Sequence, residues 1–71
     1  MRYDTPVLVV NGEKMAIEER LPLVDLLHRM KMESRPCAVE VNRVLVPRNK
    51  HDQCVLQDGD TVEIVTLVGG G

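Results

Sequence analysis

The chain has 71 residues, 44% of them apolar and 28% charged, which suits one small folded domain rather than a disordered segment. Nine basic side chains against eleven acidic ones, and a single aromatic, Tyr3, leave neither a cationic face nor stacking rings for nucleic acid. No run approaches the roughly 20 apolar residues of a membrane span, and Met1-Arg2-Tyr3-Asp4 lacks the apolar stretch of an export signal. The expectation is a cytoplasmic chain with Cys37 and Cys54 reduced.

Val7-Leu8-Val9-Val10 reads as a strand buried on both faces or central in a sheet, with Pro6 at its start, where a missing N–H does least harm. Asn11-Gly12 favours a type I′ turn, because both central positions need φ > 0. Met15 and Ile17 then share one face with Lys14 on the other, so a hairpin is predicted. Over residues 22–32 the period changes. Leu23, Leu26, Leu27 and Met30 fall at i, i+3, i+4 and i+7, the apolar stripe of an amphipathic helix. Pro22 suits its first turn, and no Ser or Thr stands in the capping position. Acidic Glu18, Glu19 and Asp25 precede basic Arg29 and Lys31, with Asp25 and Arg29 spaced as an i, i+4 pair. Pro36, which disfavours helix at Arg35, is expected to end the segment before Ser34.

Beyond Pro36 the period returns to two. Ala38, Val39 and Val41 mark a strand that turns near Asn42-Arg43 into Val44-Leu45-Val46, and Pro47 stops it. Residues 48–53 are polar and loop-like, Cys54-Val55-Leu56 is a brief apolar piece, and Asp58-Gly59-Asp60 is a turn. Residues 61–68 form the last and longest predicted strand. Its alternation puts Val62, Ile64 and Thr66 on one face and Glu63, Val65 and Leu67 on the other. If the helix covers Val62 and Ile64, then Val65 and Leu67 are candidates for partner docking, together with Val68. The element order implies an α+β, ubiquitin-like β-grasp: a mixed sheet of four to five strands covered by one main helix, with the last strand beside the first.

After that strand the sequence reads Gly69-Gly70-Gly71. Consecutive glycines give a slender segment with no side chain to bury. The reading is a domain at 1–68 and a tail at 69–71 that threads Gly69 and Gly70 through a narrow channel and offers the Gly71 carboxylate as the working group.

Val10-Asn11-Gly12-Glu13, Val24-Asp25-Leu26-Leu27, Ala38-Val39-Glu40-Val41-Asn42, Val46-Pro47-Arg48, Leu56-Gln57-Asp58-Gly59-Asp60, Val62-Glu63-Ile64-Val65 and the final glycines together resemble the ThiS family. Members of that family are sulfur carriers of thiamine (thiazole) biosynthesis. The resemblance implies that Gly71 is the adenylation and thiocarboxylate site, with ATP used by a ThiF-like adenylyltransferase and no cofactor bound by the chain. It also implies a sulfur-donating enzyme and a ThiG-like thiazole synthase as further partners. The chain is then a carrier and substrate, not an enzyme. His51 stands where the family commonly has an aromatic, and Pro22 where it often has a capping Thr. The alternatives with the same ending are a MoaD-like small subunit of molybdopterin synthase and a ubiquitin-like protein modifier.

Other constellations are weaker. His28, Cys37, His51 and Cys54 include one short pairing, His51-x-x-Cys54, and no CxxC, so part-buried thiols are expected rather than zinc ligands or a nucleophile. Asp58 and Asp60 are expected to bond nearby backbone donors around Gly59 rather than act as an acid–base pair. Arg48 is read as a solvated loop side chain.

Overall fold

A computed structural model describes residues 5–67. Val7–Val10 (β1) and Glu13–Ala16 (β2) pair antiparallel, with Val10 opposite Glu13. The intervening Asn11 and Gly12 have φ of 51° and 85°, the two left-handed positions that a type I′ turn requires. Cys37–Val41 (β4) and Val44–Val46 (β5) form a second hairpin, whose turn residues Asn42 and Arg43 also have positive φ, 52° and 69°. Thr61–Thr66 (β7) lies between the hairpins, parallel to β1 and antiparallel to β4. The strand order is β2-β1-β7-β4-β5. This is the β-grasp arrangement that the element order implied.

The helix is shorter than its apolar stripe suggested. It spans Leu23–Arg29 (α1) and buries Leu23, Leu26 and Leu27. Pro22 is not in its first turn. With φ −59° and ψ 140° it is extended, and Leu21–Pro22 (β3) pairs with Val55–Leu56 (β6) in a second, two-stranded sheet. No side chain caps α1; the Leu23 N–H instead donates to the Cys54 carbonyl at 2.9 Å, which explains why no Ser or Thr is needed. At the other end, Met32 N–H bonds the Leu27 carbonyl at 2.8 Å and Lys31 N–H the His28 carbonyl at 3.0 Å. Lys31 sits at φ 59°. These are the two bonds of a Schellman stop, with lysine where glycine is usual, and the stop acts well before Pro36. The side-chain contact at this end is His28 Nδ1 with Glu33 Oε2 at 3.2 Å, rather than an Asp25–Arg29 ion pair.

Residues 48–53 are also more regular than expected. Arg48–Gln53 is a 3₁₀-helix, opened after Pro47 (φ −59°) by Lys50 N–H on the Pro47 carbonyl at 2.8 Å and closed by Cys54 N–H on the His51 carbonyl at 3.3 Å. The last strand ends at Thr66, short of the expected Val68, which lies outside the described residues.

One face of the sheet is covered by α1 and the β3–β6 layer. Leu8, Leu23, Leu26, Val39, Leu56 and Val62 are the largest fully buried side chains, and the core is aliphatic throughout. Each such residue stabilises the fold by roughly 1.5–3 kcal/mol through burial alone.

The Asn11 side chain extends the pairing of β7 beyond the turn, its Oδ1 accepting the part-buried Ile64 N–H at 2.7 Å. Asn11→Gly keeps the turn conformation and loses this acceptor, so urea unfolding should show a loss of about 1–2 kcal/mol with an unchanged m value. Asn11→Ala should lose more, because it is also strained at positive φ. Wild-type stability in both variants would show that the bond contributes nothing.

Candidate functional site at the end of the last strand

Residues Gly69, Gly70 and Gly71 and the docking candidate Val68 lie outside the described residues. What is described is the base from which they depart. Val62 and Ile64 are buried against α1, and the alternation leaves Val65 and Leu67 on the opposite face, 57% and 52% exposed. Leu67 N–H donates to the Pro36 carbonyl at 2.9 Å, so ladder bonding to the β4 side continues one residue past the strand.

The start of β7 is fixed by polar side chains from three turns. Asp58 Oδ1 accepts the Val7 N–H at 2.7 Å, and Asp60 Oδ2 accepts the Gln57 N–H at 2.9 Å. Asp60 Oδ1 accepts from Asn42 Nδ2 at 3.0 Å, while Asn42 Oδ1 accepts the Thr61 N–H at 2.9 Å. Gly59, at φ 91°, donates its N–H to the Val7 carbonyl at 2.9 Å. The two aspartates therefore serve a turn, with Asp58 Oδ1 and both Asp60 oxygens accepting from nearby donors. Sequence reading assigned Asn11 and Asn42 to turns but missed that both side chains grip β7. The available signal was Asn, a residue with its own amide, at the first left-handed position of each hairpin.

Cys37 and Cys54 are free and half-buried. Among the described residues no group of three or more His, Cys, Asp or Glu side chains stands together as a metal site. His51 Nε2 donates to the Val46 carbonyl at 3.1 Å, tying the 3₁₀-helix to the sheet edge. Burial, and then the charge of Asp60, push the Cys54 thiol above its ordinary pKa. A raised pKa lowers the thiolate fraction and makes that thiol a slower nucleophile. A groove of about 280 Å³, lined by Val24, Leu27, Glu33, Arg48, His51 and Asp52 among others, opens on the helix side, whereas Val65 and Leu67 stand on the other face of the sheet. Arg48 lines this groove rather than the base of the tail. Among the described residues no helix is long and apolar enough to cross a membrane.

Comparison with known proteins adds a family. Residues 8–71 match the model of the ThiS family. The chain is 30% identical over 66 residues to the sulfur carrier protein ThiS of Bacillus subtilis, covering 92% of this chain and 100% of that one. It is also 39% identical over 64 residues to a thiazole synthase of Paramagnetospirillum magneticum, covering 90% of this chain and 20% of the synthase. The crystal structure of the thiamine biosynthesis protein ThiS from Geobacter metallireducens superposes with a TM-score of 0.77 at 32% identity, over 92% of this chain and 99% of that one.

The Cys54 shift has a sign that solution work checks. The folded thiol keeps its proton to higher pH than the unfolded one, so stability is unaffected below the unfolded pKa and falls as pH rises through the folded one. Alkylation of native Cys54 by iodoacetamide in mildly alkaline solution should be slower than that of free cysteine, and Cys54→Ala should reduce the alkaline loss of stability. Alkylation as fast as that of free cysteine would contradict the assignment.

Proposed function

The chain belongs to the ThiS family, and from that premise we propose that it is a sulfur carrier of thiamine biosynthesis whose Gly71 carboxylate is the loading site. The observation that carries the reading is the extent of the family match, which runs through Gly71 itself. A carboxylate is a poor electrophile, because substitution would have to expel oxide. An ATP-dependent, ThiF-like partner converts it to an acyl-adenylate with loss of pyrophosphate, and AMP is then a good leaving group. Sulfide displaces AMP directly to give the thiocarboxylate. A persulfide from a sulfur-donating enzyme gives an acyl disulfide instead, which a thiol cleaves to the same product. The thiocarboxylate sulfur is a soft nucleophile for an electrophilic carbon, and its delivery ends with Gly71 as a carboxylate again.

None of these steps asks for an acid, a base or a metal from the folded body. Its contribution is presentation. Gly69 and Gly70 carry no side chains to obstruct a narrow channel, and the exposed Val65 and Leu67, with Val68, meet the activating enzyme where the channel opens. The receiving partner is a ThiG-like thiazole synthase, a reading supported by the synthase of P. magneticum, one-fifth of whose length matches this chain. The chain is thus a carrier acted on by enzymes, with ATP bound by the activating partner.

The reading is tested by ATP–pyrophosphate exchange with a cognate activating enzyme. Wild-type chain should support exchange, and removal of Gly70 and Gly71 should abolish it; exchange by the truncated chain would refute the loading site. Leu67→Asp should weaken binding to that enzyme at least tenfold, as expected when a leucine loses burial of roughly 1.5–3 kcal/mol. Its melting temperature should stay near wild type. Unchanged affinity, or loss of the fold, would remove Leu67 from the docking surface.

A further inference from the structure

The sheet face that turns away from α1 holds a feature that the carrier reading does not use. Glu40 of β4 lies directly opposite Glu63 of β7. Main-chain bonds join Asn42 to Thr61 at 2.7 Å and Leu67 to Pro36 at 2.9 Å at the two ends of this ladder. The alternation of an antiparallel pair then makes Glu40–Glu63 a directly bonded rung, with side chains projecting side by side from the same face. Like charges in that relation destabilise a sheet. Among the described residues neither carboxylate is in an ion pair. Lys14, the lysine on this face, lies beyond the intervening strand β1, opposite Val9.

The surroundings of the pair are apolar. Leu45 of β5 is opposite Glu40, and Ala38 and Val65 form the next rung on this face. Leu45 and Val65 are 59% and 57% exposed, and Leu67 continues the patch at 52%. A face that keeps two repelling carboxylates within a patch of exposed aliphatic side chains sacrifices stability that an ordinary solvated surface would retain. Such a conflict between local and global preference is expected where a surface is completed by something else.

We propose that this face docks the enzyme that adenylates Gly71, and that Glu40 and Glu63 together receive one Lys or Arg of that enzyme, set among apolar side chains that cover Leu45, Val65 and Leu67. The proposal rests on the carrier reading for the identity of the partner. Chain length supports the placement. Gly71 is four residues beyond Leu67, and at about 3.3–3.6 Å each these reach no more than about 14 Å. An enzyme holding Gly71 in its ATP site therefore begins within that distance of Leu67. A standard interface of about 800 Å² per partner reaches this face. Charge selects the occupant. A second copy of the chain meeting this face about a two-fold axis brings four carboxylates together, so the pair opposes self-association through the patch while favouring a cationic partner.

The test is calorimetric titration of the full chain into the cognate activating enzyme at low and high salt, using wild type, Glu40→Gln/Glu63→Gln and Glu63→Lys. The double variant should bind at least tenfold more weakly at low salt, lose most of the salt dependence of the wild type, and melt at the same or a higher temperature because the repulsion is gone. Glu63→Lys should bind more weakly still. The proposal is overturned if the variants bind with wild-type affinity and salt slope, or if wild type sediments as a dimer that these substitutions disrupt. It is equally overturned if binding to thiazole synthase responds while binding to the activating enzyme does not. Exchange activity separates the two readings. A wild-type chain that supports ATP–pyrophosphate exchange while the variants bind normally sinks only the docking assignment, whereas a wild type that neither binds nor supports exchange sinks both.

Discussion

The arrangement depends on the way β7 is held from both sides. On one side β4 pairs with it from Val41–Val62 to Cys37–Thr66, and the Pro36 carbonyl adds a bond to Leu67. On the other, β1 pairs with it at Thr61 and Val62, and the Asn11 side chain then takes the Ile64 N–H in place of a further rung. Buried Val62 and Ile64 lock the same strand onto α1. A central strand with both edges bonded and one face buried opens only when the whole domain does. The segment that follows Leu67 therefore starts from a base whose position and direction are fixed by the core.

The side chains that resemble catalytic groups are engaged elsewhere. Asp58 and Asp60 hold a turn against β1 and β4, His51 ties a 3₁₀-helix to the edge strand, and burial and then Asp60 push the Cys54 thiol above its ordinary pKa. A carrier needs recognition on its body and reactivity at its end. In the proposed reading the first requirement falls to Val65, Leu67 and the acidic pair, which share one surface close to where the described chain stops.

Much of the fold was legible because its signals are local. Asn11-Gly12 announced the first hairpin, the stripe Leu23-Leu26-Leu27 announced the helix, and Asp58-Gly59-Asp60 announced the turn into the last strand. What was missed arises from contacts between segments distant in sequence. Pro22 reads as a helix starter, but pairing with Val55 makes it extended, and the Cys54 carbonyl supplies the acceptor that a capping side chain usually provides. The helix stops at Lys31 in a conformation that favours glycine, so nothing in the residue type marked the end. The 3₁₀-helix after Pro47 has no apolar period to reveal it. At the candidate site, the faces of β7 followed from its alternation. The Glu40–Glu63 rung did not, because register between β4 and β7 is set by the sheet as a whole.

Loading of Gly71 with sulfur is tested most directly by intact-mass spectrometry. The chain is incubated with ATP, a sulfur source and its activating enzyme, and the product is weighed before and after exposure to the thiol-specific reagent iodoacetamide. The account predicts a mass gain equal to replacing one oxygen by sulfur, located in the C-terminal peptide and abolished when Gly70 and Gly71 are removed. An unchanged mass under conditions that load an authentic ThiS carrier, or the same gain on a chain lacking those glycines, would contradict it.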